Sequence, residues 1–270
     1  MKPTSTRYGV LVWLCGVTAI AYIHRSCLAI PSPEIRRDLG LSVAQMGAIM
    51  GSFSAVYALS QIPAGWLGDR WGSRRTLPLY AIAWSLATGS IGMATGMVSI
   101  MLSQMANGLA QAGVFPCSAR TMSNWFPVSR RGLPIGLTGC FQSLGLIAAN
   151  LLTASLLVII GWRMIFPLVS ILGFAWAVGF FVWFRDRPAE HAGVNEAELS
   201  IIHEGASAGN ANDSSHPDRD GGPPPTPWRQ ILTSPTMGLI CGQQFFRAAG
   251  YAFYQTWFPT CRGRSRARAR

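Results

Sequence analysis

Acidic side chains are scarce in this sequence, and none lies where catalysis would use it. Eleven Asp and Glu occur in 270 residues, all of them outside the long apolar segments. No paired-carboxylate site for proton transfer can therefore form within those segments. No His-Glu-x-x-His string occurs, and the glycines from Gly89 to Gly96 precede no Lys-Ser/Thr that would cradle a phosphate. The cysteines have no metal-ligand spacing. Cys15, Cys27, Cys117, Cys140 and Cys241 fall in or at the ends of apolar segments and read as reduced, membrane-buried side chains. These absences argue against an enzyme and give no ground for a metal or cofactor. Charge of either sign is sparse too, at 12% of residues, and falls mostly in the connections.

What the sequence has is long hydrophobic runs of about twenty residues, longer than a soluble core needs. The stretch that orients them is Gly65-Trp66-Leu67-Gly68-Asp69-Arg70-Trp71-Gly72-Ser73-Arg74-Arg75. It is a short basic turn between two runs, Ala44–Trp66 and Thr76–Gly96, each able to cross a hydrocarbon layer of roughly 30 Å. Arg70, Arg74 and Arg75 mark its side as cytoplasmic, because short cytoplasmic loops collect Lys and Arg. Gly65, Gly68 and Gly72 are expected to permit the sharp turn and the close approach of the two helices. The formal charge of +11 suggests nucleic acid at first sight, but five arginines crowd into the last ten residues and most others flank the runs. Topology-setting charge explains them better than a nucleic-acid surface does.

In chain order, Lys2 and Arg7 precede an apolar run from Gly9 to about Ile30. It reads as a signal anchor, with a cleaved signal peptide as the alternative. Pro31 and Pro33 are expected to stop it. The second and third spans flank the basic turn, and the fourth runs from about Val98 to Met122. A second basic turn follows, Trp125-Phe126-Pro127-Val128-Ser129-Arg130-Arg131-Gly132. The fifth span covers about Ile135–Ile160, Gly161-Trp162-Arg163 turns outside, and the sixth ends at Phe184. The expected domains are a six-helix transmembrane half (1–184), a cytoplasmic flexible linker (185–236), a seventh transmembrane helix (237–260) and an Arg-rich tail (261–270). Within the linker, Asn195–Ile202 reads as a short amphipathic helix on the membrane face, and Gly205–Pro227 has too little apolar surface to order itself.

Polar residues inside the spans are the functional candidates, since an arginine there costs on the order of 2.5–3.5 kcal/mol unless it faces the bundle interior or water. Arg25 is the costliest, with His24 beside it. Gln104, Asn107 and Gln111 share one face of the fourth span. Ser54, Tyr57 and Gln61 share one face of the second, while Gln142 and Asn150 lie in the fifth and Gln243, Arg247 and Tyr251 in the seventh. Each stripe could be interhelical hydrogen-bond glue instead. Arg25 could snorkel to the outer interface, and His24 could be its passive neighbour. Several stripes converging with an arginine point to a watery, anion-attracting cavity.

The basic turn from Gly65 to Arg75 is similar to the loop 2-3 signature of the major facilitator superfamily. Further matches resemble its anion:cation symporter family. They are Ala21-Tyr22-Ile23-His24-Arg25, Tyr57-Ala58-Leu59-Ser60-Gln61-Ile62-Pro63, Ala112-Gly113-Val114-Phe115-Pro116, Trp125-Phe126-Pro127, Arg185-Asp186-Arg187-Pro188-Ala189-Glu190-His191 and Thr256-Trp257-Phe258-Pro259-Thr260. The resemblance implies an all-α integral membrane fold, here the six-helix amino-terminal half plus one further helix, placed in a cell membrane such as a bacterial inner membrane. It implies alternating access, with a small organic anion such as hexuronate, glucarate or galactonate held near the midplane and protons as coupling partner in a complete protein. Where the family usually carries Asp before the helix 1 arginine, this chain has His24. Where its helix 4 carries Arg and then Glu, this chain has Gln104 and Gln111.

The resulting expectation is a transporter in which Arg25, Tyr57, Gln61, Gln104, Gln111 and Gln142 contact the substrate. His24 is its candidate for proton coupling, and Gly65, Asp69, Arg70, Gly72, Arg74 and Arg75 form the conformational signature turn. An inactive fragment or a non-transporting membrane sensor is the alternative. The family has twelve helices and this chain ends after the seventh apolar run, so the Arg-rich tail is expected to be a frameshift or prediction artefact and the chain alone not to transport. His24 is expected to stay mostly neutral at pH 7 and to take a proton when a substrate anion offsets Arg25.

Overall fold

A computed structural model describes residues 3–209, 233–247 and 250. Residues 1–214 form one compact unit and 215–270 a second. In the second unit residues 235–247 are helical. The remainder of the expected seventh span, Tyr251, the Thr256–Thr260 motif and the Arg-rich tail lie outside the described residues. No strand occurs among the described residues.

The first span is α1, Thr6–Ser26. It stops short of the prolines, in a turn where the Cys27 N–H donates to Ile23 O. Pro33 then sits in the first turn of a short helix, α2, Ser32–Asp38. The prolines begin α2 where they were expected to stop α1, because a first turn needs no donor from proline. The second span is α3, Val43–Trp71, opened by a reciprocal cap: the Gln45 N–H donates to Ser42 Oγ at 3.1 Å and the Ser42 N–H to Gln45 Oε1 at 2.8 Å. It continues about a turn beyond the expected end and is closed by Gly72 at φ +79°, after which α4, Ser73–Ile91, starts at once.

Gly72 alone therefore makes the turn. Gly65 and Gly68 are helical, and their role is contact: a Cβ at Gly68 would overlap Cys117 Sγ, and one at Gly65 would lie 3.3 Å from Pro116. The fourth span is two helices, α5 (Met97–Gln111) and α6 (Val114–Trp125). The break at Ala112-Gly113 has a local cause, since Pro116 cannot donate to the Ala112 carbonyl and the Tyr80 ring occupies the space of a Cβ at Gly113. The fifth and sixth spans together cover Gly132–Trp183, labelled α7, and are two helical stretches that meet at Gly161, where a non-helical φ of +71° makes the turn expected there. At 52 residues α7 is about twice the length of one crossing.

Among the described residues, three stretches are long and apolar enough to cross a membrane: Thr6–Ser26, Val43–Trp71 and Val128–Trp183, the last holding two helices that meet at Gly161. Serine and two arginines open the 19-residue α4, and the fourth span is split. In the bundle α1 and α4 pack on α7, and α3 and α4 pack on α5. One core cluster gathers Leu14, Leu77, Trp84, Trp125 and Phe180, and a second gathers Leu28, Ile35, Ile49, Ile100 and Phe166. Outward apolar side chains such as Leu59, at 80% exposure, and Val158, at 88%, form a surface suited to lipid. Cys140 and Cys241 are likewise exposed, unlike buried Cys15, Cys27 and Cys117.

The expected linker is structured at its start. After α7, residues 188–190 make a 3-10 turn and α8 spans Glu196–Gly209. Glu198 is fully buried because it caps α1 from outside: its oxygens accept from Thr4 Oγ1 at 2.5 Å, Thr6 N at 3.3 Å and Arg7 N at 3.1 Å.

Candidate functional site

Arg25 lies one residue from the end of α1, and its guanidinium is surrounded by aromatic faces. The central guanidinium carbon is 4.5 Å from the Tyr57 ring centroid, 4.8 Å from Phe53 and 5.0 Å from Tyr22. Phe53 and Tyr57, one turn apart on α3, stack with centroids 5.7 Å apart. This is possible because α5 comes very close: a Cβ on Gly108 would lie 2.5 Å from the Phe53 carbonyl oxygen. Arg25 forms no ion pair with any described residue, and its Nε is buried without a hydrogen-bond partner. The cation is held by ring quadrupoles and not by a carboxylate.

Two concavities meet at this side chain. A cavity of about 240 Å³ is lined by Arg25, Met50, Phe53, Ser54, Tyr57 and Gln104 among others. On the other side of Arg25 a tighter cleft runs between Thr18, Tyr22, Gln111, Val114 and Phe115. Gln104 and Gln111 are joined through Asn107 into a ladder along α5: Gln111 Nε2 donates to Asn107 Oδ1 at 2.9 Å, and Asn107 Nδ2 to Gln104 Oε1 at 3.5 Å. Gln111 Oε1 is left buried and unpartnered. Gln142 donates to the Tyr22 hydroxyl, which links α7 to the same ring cluster. Of the expected contact residues, the structure thus gathers Arg25, Tyr57, Gln104, Gln111 and Gln142. Gln61 is exposed on α3 and lines neither concavity.

His24 faces the other way. It is buried between α1, α4 and α7, with Nδ1 3.1 Å from Thr88 Oγ1 and the ring edge-on to Trp84. Successive residues on a helix point about 100° apart, so neighbours in sequence here serve different surfaces. Neither concavity has a carboxylate or an imidazole in its lining among the described residues.

The signature turn assembles at the opposite end of α3. Asp69 Oδ1 is 3.6 Å from Arg120 Nη1, which also donates to the Gly68 carbonyl. The Arg74 N–H, in the first turn of α4, donates to Asp186 Oδ1 at 3.1 Å, and Asp186 Oδ2 occupies the space of a Cβ at Gly72. Arg74 Nε reaches the Phe181 carbonyl, Arg70 lies over Trp66, and Arg75 is exposed. The turn therefore ties α3 to α6 through Arg120 and α4 to the end of α7 through Asp186. Neither partner has a role that its sequence position alone assigns. The only signals were Arg120 lying within a span and Asp186 being the lone acid among Arg185, Arg187 and Pro188.

The profile of the Major Facilitator Superfamily matches residues 14–265. The chain belongs to that superfamily. It is 31% identical over 263 residues to the D-galactonate transporter of Escherichia coli O6:H1, an alignment covering 96% of this chain and 60% of that protein. To a probable galactarate/D-glucarate transporter of Bacillus subtilis strain 168 it is 32% identical over 270 residues, covering 96% and 58%. The chain thus spans somewhat over half the length of these relatives. Among solved structures, a bacterial homologue of the human lysosomal transporter Spinster superposes with a TM-score of 0.63 at 24% identity, over 67% of this chain and 44% of that one. This last likeness supports the major facilitator fold, and with it a multi-pass membrane protein.

Beyond the bundle, and contrary to the expectation that no Gly-x-Ser-x-Gly string occurs, Gly205-Ala206-Ser207-Ala208-Gly209 has that nucleophile-elbow pattern. It lies in the helix α8 and not on a strand-to-helix turn, so it lacks the context that exposes a reactive serine. No group of three His, Cys, Asp or Glu able to hold a metal occurs among the described residues.

Proposed function

We propose that this chain is the substrate-binding amino-terminal bundle of a carrier that moves a small organic anion, of the sugar-acid class, by alternating access. The observation that carries this reading is Arg25: a cation facing a cavity whose mainly apolar wall also carries Ser54, Tyr57 and Gln104, held by three aromatic rings, with no acid among the described residues to neutralise it. A planar guanidinium matches a carboxylate bidentately. Ser54, Tyr57 and the amide ladder offer neutral donors and acceptors suited to sugar hydroxyls. The relatives named for galactonate and for galactarate or glucarate support the same substrate class.

His24 serves packing in this reading, through Thr88 and Trp84, and the described face of the cavity contributes anion recognition and not a proton site. Radiolabelled D-galactonate and D-glucarate binding to the purified chain, and uptake by a complete carrier containing this chain, test the assignment. Arg25→Lys keeps the charge but loses the planar fork, and should weaken both. Unchanged binding and uptake in Arg25→Lys and Arg25→Ala would sink the proposal.

A further inference from the structure

Away from the Arg25 cavity, a second concave site carries a buried cation with unused donor capacity. A cavity of about 280 Å³ opens at the end of the bundle where α1 begins, lined by Arg7, Tyr8, Phe126, Ser129, Arg130 and the first residues of α7. Arg7 is only 6% exposed, yet its Nη1 has no hydrogen-bond partner. Its ion pair is a long one, Nε to Glu198 Oε1 at 4.0 Å. The Glu198 oxygens are mainly committed to Thr4, Thr6 and the Arg7 backbone, so they neutralise the guanidinium only in part. Arg130 is exposed and forms no ion pair among the described residues.

The start of α7 adds a second, independent feature. Its N-cap residue, Arg131, makes no side-chain cap, because a guanidinium has no acceptor to offer; it donates to the Phe126 and Ser123 carbonyls. The first N–H groups of α7, at Gly132 and Leu133, thus border the cavity without a side-chain acceptor, at the positive end of the helix dipole. No carboxylate lines the cavity, and the serine hydroxyl can also donate. Tyr8 and Phe126, edge to face with centroids 6.3 Å apart, give it an apolar wall.

We infer that this cavity is a phosphoryl-anion site. Convergent donors from two guanidiniums, a hydroxyl and a helix start suit a tetrahedral anion with several acceptor oxygens, and the aromatic wall suits the carbon side of an ester. Its place at the end of the bundle that gathers the basic turns makes an anionic phospholipid headgroup one source and a soluble phosphate the other.

The test uses the purified chain in detergent. Retention of phosphatidylglycerol is compared with that of phosphatidylcholine by native mass spectrometry, and thermal stability is measured with and without inorganic phosphate. Phosphatidylglycerol should be retained about tenfold more strongly than phosphatidylcholine. Arg130→Ala, at an exposed position, should remove about tenfold of that affinity, the scale of one hydrogen bond to a charged group. Arg7→Lys should weaken it as well. Arg187→Ala, whose guanidinium is 82% exposed and lies off the cavity, should not. If phosphate alone stabilises the chain in an Arg130-dependent way, the ligand is soluble; if only the lipid does, it is a headgroup. Equal retention of both lipids with no effect of phosphate overturns the inference. Equal losses in Arg130→Ala and Arg187→Ala would also overturn it, by showing diffuse attraction to a basic surface.

Discussion

Replacing Arg25 by Met separates what the arginine costs from what it does. An arginine within a span costs on the order of 2.5–3.5 kcal/mol on insertion scales. Three ring contacts at 4.5, 4.8 and 5.0 Å return about 0.5–1 kcal/mol each, or more where water is excluded. Cost and return are therefore of similar size, and the buried Nε without a partner adds to the cost. Methionine keeps an unbranched apolar stem against Tyr22, Phe53 and Tyr57 and removes the charge. The ligand-free Arg25→Met chain should thus unfold within about 1 kcal/mol of wild type, on either side. Anion binding should behave otherwise. A carboxylate on Arg25 is worth about 1.5–3 kcal/mol per hydrogen bond, so the variant, which loses both bonds of the fork, should lose at least roughly a hundredfold in D-galactonate affinity. Tryptophan-fluorescence melts of wild type and variant, each with and without ligand, measure both quantities. A ligand-free loss of several kcal/mol with ligand-induced stabilisation intact would refute the reasoning and make Arg25 a structural residue.

Gly72→Ala places a Cβ on backbone at φ +79° and 2.5 Å from Asp186 Oδ2, so it should cost about 1–3 kcal/mol and lower folded yield on detergent size exclusion. Gly108→Leu should push α5 off the Phe53 carbonyl and reduce anion affinity together with stability, whereas Gly47→Ala, where nothing lies within 4 Å, should change neither. Burial, reinforced by Arg185, holds His191 below the usual imidazole range, against a smaller opposing pull from Glu198; its Nδ1 accepts from the Gly193 N–H. A lowered folded-state value means its stabilising contribution is complete above about pH 6.5 and is lost as pH falls further. Proteolysis of the 188–209 segment should therefore quicken below pH 6, and His191→Phe should flatten that dependence. For topology, Ser129→Cys should label only from the cytoplasm and Thr95→Cys only from outside. Ser73, 1% exposed, would be a poor reporter from either side.

Hydrophobic length and the distribution of arginine made the membrane class and the rough positions of the apolar helices legible, because lipid imposes both constraints along the chain itself. Turn chemistry was legible only in part. Three glycines of one motif looked equivalent, yet only Gly72 has positive φ, while Gly65 and Gly68 are spaces for α6. The split of the fourth span at Ala112-Gly113 has a local signal in Pro116, but the Tyr80 ring that presses on Gly113 comes from another helix, which no local pattern reports. The short helix expected over Asn195–Ile202 is present as part of α8, which runs on to Gly209. Its ordering rests on Glu198 finding the beginning of α1, a contact 191 residues away for Arg7.

Arg25 and His24 show why composition of a site is harder to read than its location. Both are polar residues in an apolar helix, and adjacency suggests one functional pair. The helical step sends them to different neighbours: Arg25 to the rings of α3 and the cavity, His24 to Thr88 and Trp84 in the bundle core. Burial alone would rank His24 as the more specialised residue. The cavities argue otherwise: His24, with Thr88 on Nδ1 and a buried Nε2 that has no hydrogen-bond partner, lines neither concavity, whereas the charged Arg25 lines both. An uncompensated charge beside space is where a ligand can add the most free energy. The same reasoning separates Arg163 from Arg7 at the two ends of the bundle. Arg163 is satisfied by Asp38 at 2.9 Å and the Ala94 carbonyl at 2.9 Å, and so fixes loops. Arg7 keeps an unused nitrogen at the rim of a cavity, and so is placed to hold an anion.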